Sequence, residues 1–371
     1  MNKMVVNSTV FRTMEEWAPL HLAYDWDPVG IQVGSASRPV KKVMITLDVL
    51  ESVVDEAIEN KVDLIIAHHP LLFKPLQQID VTTPKGKVLE KLIKHDITVY
   101  AAHTNLDIAA DGVNDMLCDQ LGITKRKNLI DFYSEKLFKI AVYVPDSHAE
   151  VVRNALSEAG AGHIGNYSHC TFQTNGQGTF KPLEGTTPYI GSQNKLEFVE
   201  EIKIETIINE KKLAEVIDVM IAAHPYEEVA YDVFPLENKG TSYGLGRIGS
   251  LHQKMNVENL ARHVKKNFDL SHVRVIGNLK KDIQKIAVLG GSGEKYIHQA
   301  KKAGADVYIT GDMSFHVAQD AEQMGLTVID AGHYIEKVMK NVTKNYLQEQ
   351  FKHSELEVIV SKTNTDPFQF I

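Results

Sequence analysis

Val62-Asp63-Leu64-Ile65-Ile66-Ala67-His68-His69-Pro70 is the stretch on which the reading of the fold turns. Its apolar run is short and rich in β-branched residues, which predicts a buried strand. It stops abruptly at two histidines and a proline. Upstream, 43–47 is another apolar run. Downstream, 97–102 is a third, and it ends in His103-Thr104-Asn105-Leu106-Asp107. Helical periodicity fills 50–60, 85–95 and 112–121. Apolar strands alternating with helices of this length indicate βαβ units on a largely parallel sheet. Before them, 8–24 reads as a helix with Val10, Met14 and Trp17 on one face and Ser8 as its cap. It leads into the turn-rich passage Trp26-Asp27-Pro28-Val29-Gly30.

The same rhythm resumes from Tyr243. A strand at 286–289 ends in Gly290-Gly291-Ser292-Gly293, one at 306–309 ends in Gly311-Asp312, and one at 327–329 ends in Gly332-His333-Tyr334-Ile335-Glu336. Helices are expected over 255–268, 294–303, 315–324 and from 333 toward Phe351, with a closing strand at 356–360. Between the two outer parts the pattern changes: strand 138–144, helix 147–159, a Gly/Thr/Asn-rich passage, a period-two run at 197–208, helix 210–223 and strand 229–235. That order is the β-α-β-β-α-β signature of a ferredoxin-like unit. The fold class is therefore α/β: one domain built from both chain ends, 1–131 and 240–371, interrupted by a ferredoxin-like α+β insert over 132–239.

Composition narrows the function. The chain has 371 residues, 40 Lys+Arg against 48 Asp+Glu, and a formal net charge of −8, which disfavours sequence-independent binding to nucleic acid. Two cysteines, Cys118 and Cys170, are too few for a disulfide framework or a thiolate zinc cluster. The opening residues lack the apolar run of a secretory leader, and no stretch is apolar enough for a membrane span. A cytoplasmic protein is the expectation. Sixteen histidines are the surplus to be explained.

Their placement suggests chemistry. His68-His69, His103 with Asp107, and His333 with Glu336 each follow an apolar strand, and parallel strands deliver their C-terminal ends to one edge of a sheet, where open α/β folds bind ligands. His333 and Glu336, three apart at a helix start, face one way. One strand-end histidine is ordinarily a satisfied, half-buried side chain; three such clusters point to a site. Imidazoles with carboxylates suit zinc, iron, cobalt or manganese. So many ligands suit two ions, with Asp107 and Glu336 as the natural bridges. Adjacent histidines on extended backbone point to opposite sides, so His68 and His69 are expected to serve different ions or to sit on a turned backbone. The loop at Gly290, Gly291 and Ser292 has the placement to direct N–H groups at a phosphate, or is simply a tight turn. His316 is a candidate substrate contact, with an ordinary surface histidine as the alternative. His224-Pro225-Tyr226-Glu227-Glu228 reads as turn and interface chemistry, and Cys118 as a core thiol.

At these residues the sequence resembles the NIF-three (NGG-one-interacting factor three) family, also called the GTP cyclohydrolase I type 2 family. The resemblance rests on WDPVGIQVG at 26–34, AHHPLLF at 67–73, HTNLD at 103–107, GGSG at 290–293 and DAGHYIE at 330–336, in that order. It implies a dinuclear metal centre at His68, His69, Asp107, His333 and Glu336, a PII/CutA-like insert, and homohexamers. Some relatives space the last His and Glu four apart; three apart still keeps one helix face. The family name implies GTP cyclohydrolase activity, hydrolysis at C8 of guanine with release of formate. The residues allow it through a metal-bound hydroxide, with His103 as general base or ligand-orienting group and the glycine loop and His316 toward phosphates. The expected substrate is GTP or a related nucleotide or small molecule, and the expected cofactor is two divalent ions per chain, zinc first. The alternative is a non-enzymatic metal-binding regulator or scaffold with a ligand-sensing PII-like insert.

Overall fold

The computed structural model describes residues 4–371. They form two compact units, one comprising residues up to Tyr133 together with Tyr243–Ile371, the other Ser134–Ser242.

In the first unit, one sheet has the strand order Gly30–Val33, Thr98–Ala101, Leu64–Ala67, Lys42–Thr46, Glu357–Val360. All its pairings are parallel except that of Gly30–Val33, an antiparallel edge. Side chains alternate across each strand, and both faces are covered. Val43, Ile45, Leu64, Ile66 and Tyr100 enter one core, while Met44, Ile65, Ala67 and Val99 enter another. Helices Glu51–Glu59 and Pro84–Lys94 close the second core with Val53, Val54, Ala57, Val88, Leu89 and Leu92. The latter helix starts where it must: Thr83 caps it by accepting from the Gly86 N–H at 3.1 Å, and Pro84 takes a first-turn position whose N–H has no helical partner.

A second sheet of the same unit carries Asp282–Ser292, Val307–Gly311 and Thr327–Asp330 in parallel. Arg274–Ile276 pairs antiparallel at one side and the 247–256 part of strand Tyr231–Asn256 at the other. The sequence anticipates one largely parallel sheet; the structure has two, because each half of the chain pairs its own strands. The last strand then returns to the first sheet beside Lys42–Thr46. Helix Val113–Leu121 packs on strand Asp282–Ser292 and on helices Val257–Asn267 and Val338–Gln350. Its Val113, Met116, Leu117, Cys118 and Leu121 are buried in the first core, which joins the halves. Each fully buried aliphatic side chain contributes ~1.5–3 kcal/mol, so this helix is a principal tie between them.

The N-terminal helix is shorter than its apolar stripe suggests. It spans Asn7–Trp17 and stops before Pro19, whose ring excludes a helical predecessor; a 3₁₀ turn at Leu20–Leu22 follows. Ser8 is not its cap. Val6 holds that position, and Asn7 instead donates to Ser35 O and Thr98 Oγ1, both at 2.9 Å, tying the helix start to the sheet.

The second unit has its own core of Ile140, Val142, Val144, Val152, Leu156, Ile204, Ile208, Val216 and Met220. The 134–145 part of strand Ile123–Pro145 and the 231–242 part of strand Tyr231–Asn256 belong to it. Glu197–Asn209 pairs antiparallel with 137–145 on one side and with Thr171–Phe180 on the other. Helices Ala149–Glu158 and Leu213–Ala223 pack together. His224 is buried with both ring nitrogens engaged: Nε2 donates to Tyr143 O at 3.0 Å and Nδ1 accepts from Tyr226 N–H at 3.1 Å. That bonding fixes a turn.

Candidate metal centre

Three strand ends of the first unit converge. Past Leu64–Ala67, the amides of His68 and His69 still bond Thr46 O and Leu47 O, so both residues ride on the sheet's edge. Past Thr98–Ala101, His103 begins the short helix Thr104–Ile108, and Asp107 sits one turn later with its N–H on His103 O. Past Thr327–Asp330, Gly332 turns with φ +78° into a 3₁₀ turn, His333–Lys337, that brings His333 and Glu336 to one side.

Each of the four histidines is held from behind. The Nδ1–H of His68 donates to Ala102 O at 2.8 Å, that of His69 to Asp48 Oδ1 at 2.7 Å, that of His103 to Asp27 Oδ1 at 3.0 Å, and that of His333 to Asp312 Oδ2 at 2.6 Å. Carbonyl and ionised carboxylate oxygens only accept, so Nδ1 carries the proton in each ring. Nε2 is left as the ligand atom. This is the arrangement that fixes tautomer and orientation in histidines that bind metals. The orienting carboxylates are fixed in turn. Asp27 accepts from the Thr104 N–H and hydroxyl, Asp48 from the Thr365 hydroxyl, and Asp312 from the Ser292 hydroxyl.

The Nε2 atoms gather on buried Glu336. Its Oε2 lies 3.1 Å from His69, 3.2 Å from His333 and 3.6 Å from His68, and His68 Nε2 is also 3.5 Å from Asp107 Oδ1. Three groups have ligand atoms close enough together for a metal ion: His68 with Asp107 and Glu336, His69 with His333 and Glu336, and His68 with His69 and His103. Thus the adjacent pair diverges only partly. His68 and His69 share Glu336, yet one faces Asp107 and the other His333.

A cation fits the charges. His68 Nε2 and Asp107 Oδ1 are buried with no hydrogen-bond partner among the described residues. Each such atom costs ~1–3 kcal/mol, and buried polar groups are rarely left so. Burial raises the Asp107 carboxyl to about 7, with the nearby Glu336 charge adding to the rise and His68 opposing it. Burial also pushes Glu336 up, but the imidazoles of His333, His68 and His69 close around it hold it well below the usual carboxylate range. Burial lowers His69 and His333, yet bonds to Asp48 and Glu336 bring the former to about 9, and bonds to Asp312 and Glu336 bring the latter to about 10. With no ion bound, these two rings supply positive charge between the carboxylates, and a metal ion at Nε2 would take the place of their protons.

The other expected contacts divide. Gly290 and Gly291 end strand Asp282–Ser292 against the cluster: an added Cβ would fall 3.0 Å and 2.7 Å from Glu336 Oε1, respectively. Their lack of a side chain makes room for Glu336. Ser292 reaches the cluster through Asp312. His316 is exposed on helix Phe315–Gln323, bonded to Gln319 Oε1 at 3.3 Å, and belongs to none of the three groups. Sequence reasoning missed Asp48 as a strand-end residue, although it follows the 43–47 run just as His68 follows 62–67. Asp27 and Asp312 lie in the stretches 26–30 and 311–312 with no role expected of them from sequence. A cavity of about 800 Å³ opens beside the cluster, lined by His69, His333, Asp312, Tyr334 and Lys337 and walled by the C-terminal residues Asn364–Phe370. That volume suits a nucleotide-sized ligand.

The chain is 50% identical over 371 residues to a protein of Halalkalibacterium halodurans and 48% identical over 373 residues to one of Bacillus subtilis, both covered end to end and both named GTP cyclohydrolase 1 type 2 homolog. The crystal structure of a Bacillus cereus protein related to NIF3 superposes with a TM-score of 0.93 at 50% identity, covering all of both chains. The family model Duf34/NIF3 (NGG1p interacting factor 3) matches residues 5–367. On this evidence the chain belongs to the Duf34/NIF3 (NGG1p interacting factor 3) family.

Proposed function

We propose that this protein is a dinuclear metal-dependent hydrolase of the GTP cyclohydrolase I type 2 kind, acting on GTP or a related nucleotide or small molecule. One observation carries the reading: four histidines with Nδ1 fixed from behind cluster together, three of them (His68, His69 and His333) with Nε2 toward buried Glu336 and His68 also toward buried Asp107. His68, His69, Asp107, His333 and Glu336 would hold two divalent ions, zinc first. Such ions lower the pKa of water toward neutrality and polarise the bond under attack. The chain's own residues do the rest. Asp27 orients His103 so that its Nε2 takes or returns a proton at the substrate. Gly290, Gly291 and Ser292 position Glu336 and, through Asp312, His333. The 800 Å³ cavity bordering His69 and His333 admits the substrate.

Metal analysis followed by a nucleotide screen tests this. We expect about two ions per chain and release of formate from GTP or a related ring compound with zinc, manganese or iron. H68A should lose both metal and turnover. Fewer than about one ion per chain, or no turnover with any metal, overturns it. The second reading, a metal-binding regulator, draws on a cavity of about 600 Å³ in the second unit, lined by residues that include His163 and Lys212. It predicts ligand binding by 134–242 without turnover. A cytoplasmic homohexamer with a PII/CutA-like insert completes the proposal, and sedimentation analysis tests the assembly.

A further inference from the structure

Beside His103 stands a wall of aromatic rings. The Trp26 and Phe73 rings each lie 6.4 Å from the His103 ring and 5.7 Å from each other, and His103 lies 5.2 Å from His68. Both are large apolar side chains left 57% and 49% exposed. They are not loose. Tyr24 stacks behind Trp26 at 5.5 Å and an interplanar angle of 11°, Phe132 meets the edge of Tyr24 at 5.0 Å, and the Tyr24 hydroxyl is 3.3 Å from that of Tyr296. Trp26 is also chained to the metal-capable cluster, because its neighbour Asp27 orients His103. The same dipeptide thus sets both a ring face and the proton-bearing histidine. Next to His103, the orphaned atoms of His68 and Asp107 await a polar ligand.

We propose that Trp26 and Phe73 form the subsite for the planar heteroaromatic ring of the substrate, holding that ring by stacking against the His103 side of the metal centre. This rests on the reading that the centre acts on a small molecule. It names the chemical class: a nucleobase or pterin-like ring. The two rings border the cluster on its His103 side, and an aliphatic or purely phosphorylated substrate would gain little from them. A stacked base gains far more, and gains it whatever its hydrogen-bonding edge.

Calorimetric titration of the zinc-loaded full chain tests the assignment, using guanosine, adenosine and a pterin, with ribose 5-phosphate as the base-free control. At least one ring compound should bind tenfold or more tightly than ribose 5-phosphate. W26A should weaken that binding by about 5- to 100-fold, the range expected for one stacked base. F73A should weaken it less, W26F should retain it within a few-fold, and zinc content should not change. The proposal is overturned if no ring compound outbinds ribose 5-phosphate, or if W26A and W26L bind the ring as well as the native chain. It is equally overturned if W26A alters only the sedimenting species, which would make the wall a contact between copies. Ring binding through Trp26 without turnover leaves the subsite standing and removes the hydrolase reading. Turnover with an unchanged KM in W26A does the reverse.

Discussion

The Thr365 hydroxyl donates to Asp48 Oδ2 at 2.5 Å, while Asp48 Oδ1 accepts from His69 Nδ1–H at 2.7 Å. A residue close to the C-terminal end therefore helps orient a histidine whose Nε2 faces Glu336. Groups that orient metal-binding histidines typically contribute 10–100-fold in metal affinity. T365V, which keeps the shape and removes the donor, should weaken zinc binding by about tenfold in a chelator competition, and D48A should weaken it more. Thermal stability of the metal-free chain should change little in T365V. An unchanged zinc affinity in both variants would show that His69 needs no such support.

Asp107 and Glu336 are two buried carboxylates sharing His68, and burial together with the Glu336 charge raises the Asp107 carboxyl. Without a cation this costs stability, because one of two close buried acids must stay protonated or be repelled. D107N should therefore raise the melting temperature of chelator-treated protein by a few degrees, equivalent to about 1–2 kcal/mol, and reduce bound metal below the native amount. Differential scanning calorimetry with and without zinc separates the two effects. A fall in metal-free stability would mean that the carboxylate is wanted for the fold rather than for a ligand.

Much of this was legible in the sequence because strand ends announce themselves. An apolar run that breaks at a polar residue locates an edge, and His68, His103 and His333 were each found that way. Two things were not legible. Strand pairing is a long-range choice: nothing local in 357–360 says that it returns to pair with Lys42–Thr46 rather than with its sequence neighbours. The orienting carboxylates were also hidden, because an aspartate at a turn reads as turn chemistry. Asp27 before Pro28 and Asp312, with φ +55°, both fit that description. Only the three-dimensional contact with an imidazole distinguishes them.

Glu56 fastens the C-terminal segment that walls the cavity. Its carboxylate accepts from the Ser361 hydroxyl at 2.6 Å, the Lys362 N–H at 2.7 Å, and the Thr363 hydroxyl at 2.7 Å and N–H at 3.2 Å. Burial pushes the Glu56 pKa up, but these bonds outweigh it and leave the folded value below the ordinary 4.5. A depressed carboxyl pKa contributes stability that is fully present above the unfolded value and is lost as pH falls through the folded one. The native chain should therefore melt higher than E56Q by a constant margin at pH 6–8, and the margin should close as pH falls below about 4.5. A margin independent of pH would assign the contact to shape rather than charge.

Gly291 separates two readings of the glycine loop. Its φ is +63°, and an added Cβ would stand 2.7 Å from Glu336 Oε1 and 3.3 Å from His333 Nε2. Gly290 is less constrained, at 3.0 Å from the same oxygen. Ser292 touches the cluster only through its bond to Asp312. If the loop exists to seat Glu336, then G291A must push that carboxylate off His69 and His333, with backbone strain of about 1 kcal/mol or more added by the left-handed conformation. Zinc stoichiometry should then fall in the order native, S292A, G290A, G291A, and E336D should recover part of the loss in the G291A background because its shorter chain relieves the overlap. If the loop instead cradles phosphates, G291A should keep its metal and raise the KM for a nucleoside triphosphate while leaving that for the free nucleoside alone. Metal content measured on the same preparations as the two KM values decides between them, and retention of full metal by G291A would overturn the steric role assigned to this glycine.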